Sequence, residues 1–274
     1  APGEPGIYRP TGLVNYFRPV PADDIQGAVG AKWAKRLGAK KVYILNDQEL
    51  YGKGIADVFE ATAKAIGLPV VANEGIDWKQ PDQKPVLTKI RASGADLVYM
   101  GGVIETGAQV IIRQMKDVGL VAPRVRFVGP DGLYEDELLK GATCDAALAT
   151  EMRVTFAGLP FEKMRGAGAK TYETYKAKFS KEPTAYALYA VEAGRVAIDG
   201  IRRAAPALDR AKDITEKREA VRKAIASTKN FDGINGKWNF DENGDVDYDT
   251  MSGFKVVKAD TPIGCKFQFE TILE

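Results

Sequence analysis

Short, wholly apolar runs alternate with amphipathic stretches from Asp23 to Val128. The run KVYIL (Lys41–Leu45) has the β-branched and aromatic content, and the length, of a buried strand. A polar loop, NDQELYGKG, follows it. A helix is then expected, with Ile55, Val58, Phe59, Thr62 and Ile66 on one face and Gly67 as its stop. Upstream, LVNYFR (Leu13–Arg18) alternates as a strand would. Asp23 and Asp24 then offer an N-cap for a helix carrying Ile25, Ala28, Val29, Trp33 and Leu37, ended by Gly38. Downstream the pattern predicts a strand at Val70–Glu74, a helix at Pro81–Ala92 and a strand at Asp96–Met100. A helix capped by Thr106 and stopped at Gly119 comes next, then a strand at Val125–Val128, a short helix around Tyr134–Leu139 and a strand near Leu148–Thr155. Strand, loop and helix in that order make the unit of an open parallel sheet, so residues 22–155 read as one doubly wound α/β lobe.

The rhythm then changes. Phe161–Phe179, Thr184–Ala205 and Ile214–Thr228 read as helices with no parallel-strand run between them, and the middle one is apolar enough to be expected largely buried. Gly236–Phe269 is strand-like, with Asn243-Gly244 as a hairpin signal because both residues tolerate positive φ. The same stretch, NFDENGDVDYDT, imitates a calcium loop through Asp241, Asn243, Gly244, Asp245 and Asp247. Its first ligand position holds Asn239 and its last Thr250, so a plain hairpin turn is the expectation. Ala1–Pro10, rich in Gly and Pro, reads as an irregular lead-in.

Composition narrows the function classes. The 274 residues suffice for two lobes, and a net charge of +2 favours neither nucleic acid nor a membrane surface as partner. No run reaches the roughly 18 apolar residues of a membrane span, and APGEPGIYRP has neither the basic end nor the apolar core of a signal peptide. The chain has no histidine, which removes the commonest general base and catalytic metal ligand. Cys144 and Cys265 suit one disulfide as well as two buried thiols, and are too few for a zinc site.

In a parallel sheet, ligands sit beyond the carboxyl ends of the strands. Three loops fall there, Asp47–Gly54, Gly101–Glu105 and Gly129–Gly132, so Tyr51, Val103, Glu105 and Asp131 are the candidates to face one ligand. The plainer alternative makes Tyr51 a surface tyrosine and Asp131 a turn former in Pro-Asp-Gly. No Walker-type loop, Gly-x-Gly-x-x-Gly or Gly-x-Ser-x-Gly motif occurs. A binding role is therefore expected rather than catalysis, with no cofactor. An enzyme on a Rossmann-like lobe and a regulatory ligand-sensing module remain as other readings.

The ordered series YFRPVPADDIQG, KKVYILNDQELYGKG, ADLVYMGG with Glu105 after it, RQMKDVGL, FVGPDG, KEPTAYALYAVEA and WNFDENGD resembles the periplasmic branched-chain amino-acid-binding proteins. These are the type I solute-binding proteins of ABC importers. The resemblance runs over nearly the whole chain and implies two α/β lobes, joined by three crossovers, that close on a small ligand. Matched by motif, it assigns Tyr51 as an aromatic cleft residue, Asp131 as the acid that accepts the ligand's ammonium, and Tyr186 as an aromatic from the other lobe. Val103 stands where leucine-binding members have a tyrosine. The resemblance further implies a periplasmic or membrane-associated extracellular location, a membrane permease as partner, and an amino acid, or else an aromatic acid or amide, as ligand. It divides the chain into the end of the first lobe (1–21), a complete α/β lobe (22–155), a helical remainder of the first lobe (156–235) and a crossover hairpin with closing strands (236–274). On this reading about a small domain's worth of the first lobe is absent. Its helices are then left with an apolar face, from which self-association is expected.

Overall fold

The computed structural model describes residues 13–273 apart from Ala185, so the lead-in at Ala1–Pro10 lies outside the described residues. Two compact units emerge: Asp23–Ala157 with the chain from Thr250 on, and Gly158–Asp249 with the segment before Asp23. The first unit runs α1 (Asp23–Arg36), β1 (Val42–Asn46), α2 (Leu50–Ala65), β2 (Val70–Gly75), α3 (Lys84–Ser93), β3 (Leu97–Gly101), α4 (Ala108–Asp117), β4 (Arg126–Gly129), α5 (Ala142–Ala149) and β5 (Arg153–Ala157). All five residues of β1, and all five of β3, are buried, which is why VYIL and LVYM read as unbroken apolar runs rather than alternations. Ile44 and Tyr99 point to one face, where Ala31 and Ala34 of α1 and Ala56, Phe59 and Ala63 of α2 close a core. The rings of Phe59 and Tyr99 stack there with centroids 3.9 Å apart.

The second unit holds α6 (Ala167–Phe179), α7 (Ala187–Leu208), α8 (Ile214–Ala226) and a small antiparallel pair, β6 (Phe231–Gly233) with β7 (Gly236–Trp238). Buried Glu192 of α7 fastens that pair. Its carboxylate accepts from the Ile234 N–H at 2.6 Å and the Trp238 Nε1–H at 2.9 Å, and burial pushes its pKa up. Asn235 ties the unit's three entering and leaving strands of chain. Its side chain accepts from the Leu159 N–H (2.9 Å) and donates to the Tyr189 and Tyr248 hydroxyls (2.9 and 3.1 Å), and the Tyr248 hydroxyl donates to the Pro19 carbonyl (3.2 Å).

The chain then returns to the first unit as β8 (Met251–Lys258) and β9 (Cys265–Leu273). Among the described residues this completes a seven-stranded sheet of order β2-β1-β3-β4-β5-β8-β9, parallel through β5 and antiparallel beyond it. Cys144 of α5 and Cys265 of β9 are joined as a disulfide, with Cα atoms 6.0 Å apart.

Four expectations are corrected. Leu13–Arg18 is not a sheet strand: only Arg18 makes a bridge, to Asp245, whose carboxylate it also pairs with at 2.7 Å, and Tyr16 is 68% exposed. Leu148 and Ala149 end helix α5, and the strand starts at Arg153, because ATCDAALA is a run of small residues with strong helix preference. The loop after β1 is shorter than expected, since α2 begins at Leu50 and Tyr51 lies in its first turn. Helix α7 buries a stripe (Leu188, Glu192, Val196, Gly200, Ala204) rather than most of its surface; Val191, Ile198 and Ile201 are exposed.

The disulfide closes a loop across 121 positions, for which chain-entropy bookkeeping gives about 4–5 kcal/mol. Reduction with alkylation should therefore label both cysteines and shift the urea midpoint of the seven-stranded unit downward. Labelling of both thiols without reductant is the contrary result.

Candidate functional site

The loops at the carboxyl ends of β1, β3 and β4 meet because these strands are direct neighbours and end in register, Asn46 beside Gly101. The Asp47 N–H donates to the Gly101 carbonyl at 3.1 Å. The approach is close enough that a Cβ on Gly101 would strike the Gly52 carbonyl, and one on Gly52 would strike the Asp47 carboxylate. Glycine at both positions is what lets α2 begin against the end of β3.

On this platform the Tyr51 hydroxyl donates to Asp131 Oδ1 at 2.6 Å. Asp131 opens a short 3-10 turn (Asp131–Leu133) after β4, and the Gly132 beside it has no side chain where Val103 and the Tyr51 ring approach. Tyr51, Val103 and Asp131 are thus brought together. Glu105 is the exposed residue of the 3-10 turn Ile104–Thr106. It reaches Glu135 electrostatically: burial, then Asp136 and Glu105, push the Glu135 carboxyl up. Under the loops, burial first and then Asp131 and Asp23 drive the Tyr99 phenol well above its ordinary range, and among the described residues its hydroxyl has no hydrogen-bond partner. Asp131, Glu105 and Glu135 make this cluster of loops acidic. Tyr186 belongs to the other unit, at the start of α7, with 40% of its surface exposed.

Among the described residues no group of three or more acidic or cysteine side chains is placed to hold a metal ion. In the stretch resembling a calcium loop the carboxylates serve the turn. Asp241 accepts from the Asn243 and Asp245 N–H groups, Asp245 pairs with Arg18, and Asp247 accepts from the Asn239 N–H. Gly244, at φ 80°, supplies the hairpin's left-handed residue.

The family profile described as periplasmic binding protein matches residues 9–261. The chain belongs to the periplasmic binding protein family. A Leu/Ile/Val-binding protein of Rhizobium johnstonii is 31% identical over 245 residues, 89% of this chain and 62% of that protein. A leucine-, isoleucine-, valine-, threonine- and alanine-binding protein of Pseudomonas aeruginosa is 32% identical, over 84% of this chain and 57% of its own length. A solved leucine-binding protein from Thermotoga maritima superimposes with a TM-score of 0.76 at 26% identity, over 92% of this chain and 65% of that one. This periplasmic binding protein chain thus spans about three fifths of the curated relatives named here.

Sequence reasoning missed three residues of the site. Asp47 is 2% exposed, and Thr106, read only as a helix cap, is a buried partner of it. Glu135 was passed over as part of a short helix. The signal for Asp47 is an acid two positions after an apolar run, but a polar loop predicts an exposed carboxylate rather than a buried one.

The close approach gives a sharp contrast within one helix turn. Gly52→Ala should destabilise the unit by about 3 kcal/mol or more, since backbone must shift. Gly54→Ala meets nothing within 4 Å and should stabilise α2 by up to about 1 kcal/mol. Urea unfolding of both variants checks this; equal effects would refute the packing.

Proposed function

We propose that this chain serves an extracytoplasmic solute-binding receptor that presents an amino acid to an ABC importer. One observation supports this reading above the rest: Asp131, at the end of β4, is held by the Tyr51 hydroxyl where the strand-end loops converge. An ammonium group placed against that carboxylate would gain a charge-assisted bond of about 1.5–3 kcal/mol, roughly tenfold to a hundredfold in affinity. The similar Leu/Ile/Val-binding proteins favour a branched-chain side chain, and Val103 leaves more room for it than a tyrosine would. Catalysis is no part of the proposal. Aromatic acids bind solved proteins of the same fold, but at Asp131 an anionic ligand end would meet like charge.

Thermal-shift measurements with leucine, isoleucine, propionamide and benzoate test this. The two amino acids should raise the melting temperature, and Asp131→Asn should remove most of the rise. The resemblance adds Tyr186→Ala as a second weakening change. If only benzoate or propionamide stabilises the chain, the ammonium role of Asp131 falls.

The proposal includes self-association through the helical unit. Val191, Ile198 and Ile201 of α7 are 37–51% exposed, and covering what remains exposed is worth about half of the ~1.5–3 kcal/mol of a full burial for each. Light scattering should show a mass that rises with concentration, and Ile198→Glu with Ile201→Glu should abolish the rise. A monomer at every concentration is the opposing result.

A further inference from the structure

Asp47 stands three positions before Leu50, where the helix that carries Tyr51 begins, and its side chain turns back into the protein. Its Oδ1 accepts from the Glu49 N–H at 3.0 Å, which fixes the entry to α2. Its Oδ2 accepts from the Thr106 hydroxyl at 2.6 Å. That hydroxyl in turn accepts from the Val103 N–H at 3.1 Å and lies 3.1 Å from the Val103 carbonyl. The Gly102 backbone lies alongside, and a Cβ there would come within 3.1 Å of Asp47 Oδ2 and 3.2 Å of the Thr106 hydroxyl. One carboxylate and one hydroxyl therefore span the loop that carries Tyr51 and the loop that carries Val103 and Glu105. These two loops are joined otherwise by the backbone bond from Asp47 to Gly101.

We infer that Asp47, acting through Thr106, is a positioning residue for the ligand site: it locks the Tyr51 turn to the Val103 loop, so that the two walls keep one spacing. This rests on the proposed amino-acid site, but the pin itself is a property of the unliganded loops. A charge buried this deeply is costly unless its hydrogen bonds are kept, so loss of either partner should be felt at both loops.

The test uses the full chain and two readouts. In the first, amide hydrogen exchange is followed for residues 48–55 and 102–108. Thr106→Val, which keeps the shape and removes the hydroxyl, should speed exchange tenfold or more in both stretches while β1 and β3 stay protected. Thr106→Ser should restore the wild-type pattern. Asp47→Asn should come close to it, because an amide can donate to the Thr106 oxygen while the hydroxyl turns to the Val103 carbonyl. Thr150→Val, at an equally buried threonine whose hydroxyl bonds to the Ala146 carbonyl, controls for general loosening and should leave both stretches unchanged. In the second readout, L-leucine is titrated calorimetrically into the same variants. Thr106→Val should weaken it at least tenfold and Thr106→Ser should not. Loosening confined to residues 102–108, equal loosening by Thr150→Val, no rescue by serine, or unchanged leucine affinity in Thr106→Val would each overturn the inference. If the wild-type chain gives no leucine heat while the exchange pattern holds, the amino-acid reading falls and the pin stands.

Discussion

A single buried carboxylate ties together two loops at the carboxyl end of the sheet's parallel strands. Parallel strands that stop together leave their loops without ladder partners, and each loop must find its own hydrogen bonds. Asp47 answers for two loops at once. Its negative charge also sits at the amino end of α2, where the helix's exposed N–H groups favour an anion. The glycines at 52, 101 and 102 are the steric counterpart, since a side chain at any of them would intrude on the same few atoms. Tyr51 can reach Asp131 only because α2 starts where this arrangement makes it start.

The two units spend their polar side chains differently. In the first, one buried acid and its threonine partner, Asp47 and Thr106, sit at the carboxyl end of the sheet, beside a large apolar core. In the second, the apolar cluster is smaller, built on Val196, Trp238, Phe240 and Val246, and polar clamps carry more of the organisation. Glu192 holds the β6–β7 pair to α7, Asn235 gathers the segments at Pro19, Leu159 and Tyr248, and Arg203 bonds the Thr228 and Ser227 hydroxyls beyond the end of α8. A unit organised in this way keeps its shape while leaving isoleucines of α7 in water.

Much of this was legible in the chain, and the failures have physical reasons. The strands around Ile44 and Tyr99 announce themselves because both their faces are covered. The helix through Phe59 does so because only one of its faces is. The stretch before Asp23 misleads because alternation describes a strand's surface but not whether a neighbour exists to bond it. Leu148 misleads because a run of alanines and small residues fits a helix as well as a buried strand, and length and glycine signals alone must arbitrate. Tyr51 and Asp131, which the structure brings into hydrogen-bond contact, can be singled out from their place after strands. Asp47 and Thr106 were not, because their importance lies in a pairing 59 positions apart that no local pattern encodes.

The sheet order also makes the helical unit an excursion from what is otherwise a hairpin. Strands β5 and β8 are antiparallel neighbours, with Ala157 paired to Met251, and residues 158–249 leave and return between those two partners. The chain thus steps out of one ladder at Ala157 and re-enters it directly opposite, at Met251. Seen as engineering, the α/β lobe is one excision away from being an uninterrupted polypeptide: a two-residue turn between the paired Ala157 and Met251 would replace the whole excursion without asking any strand to change its neighbour or its direction.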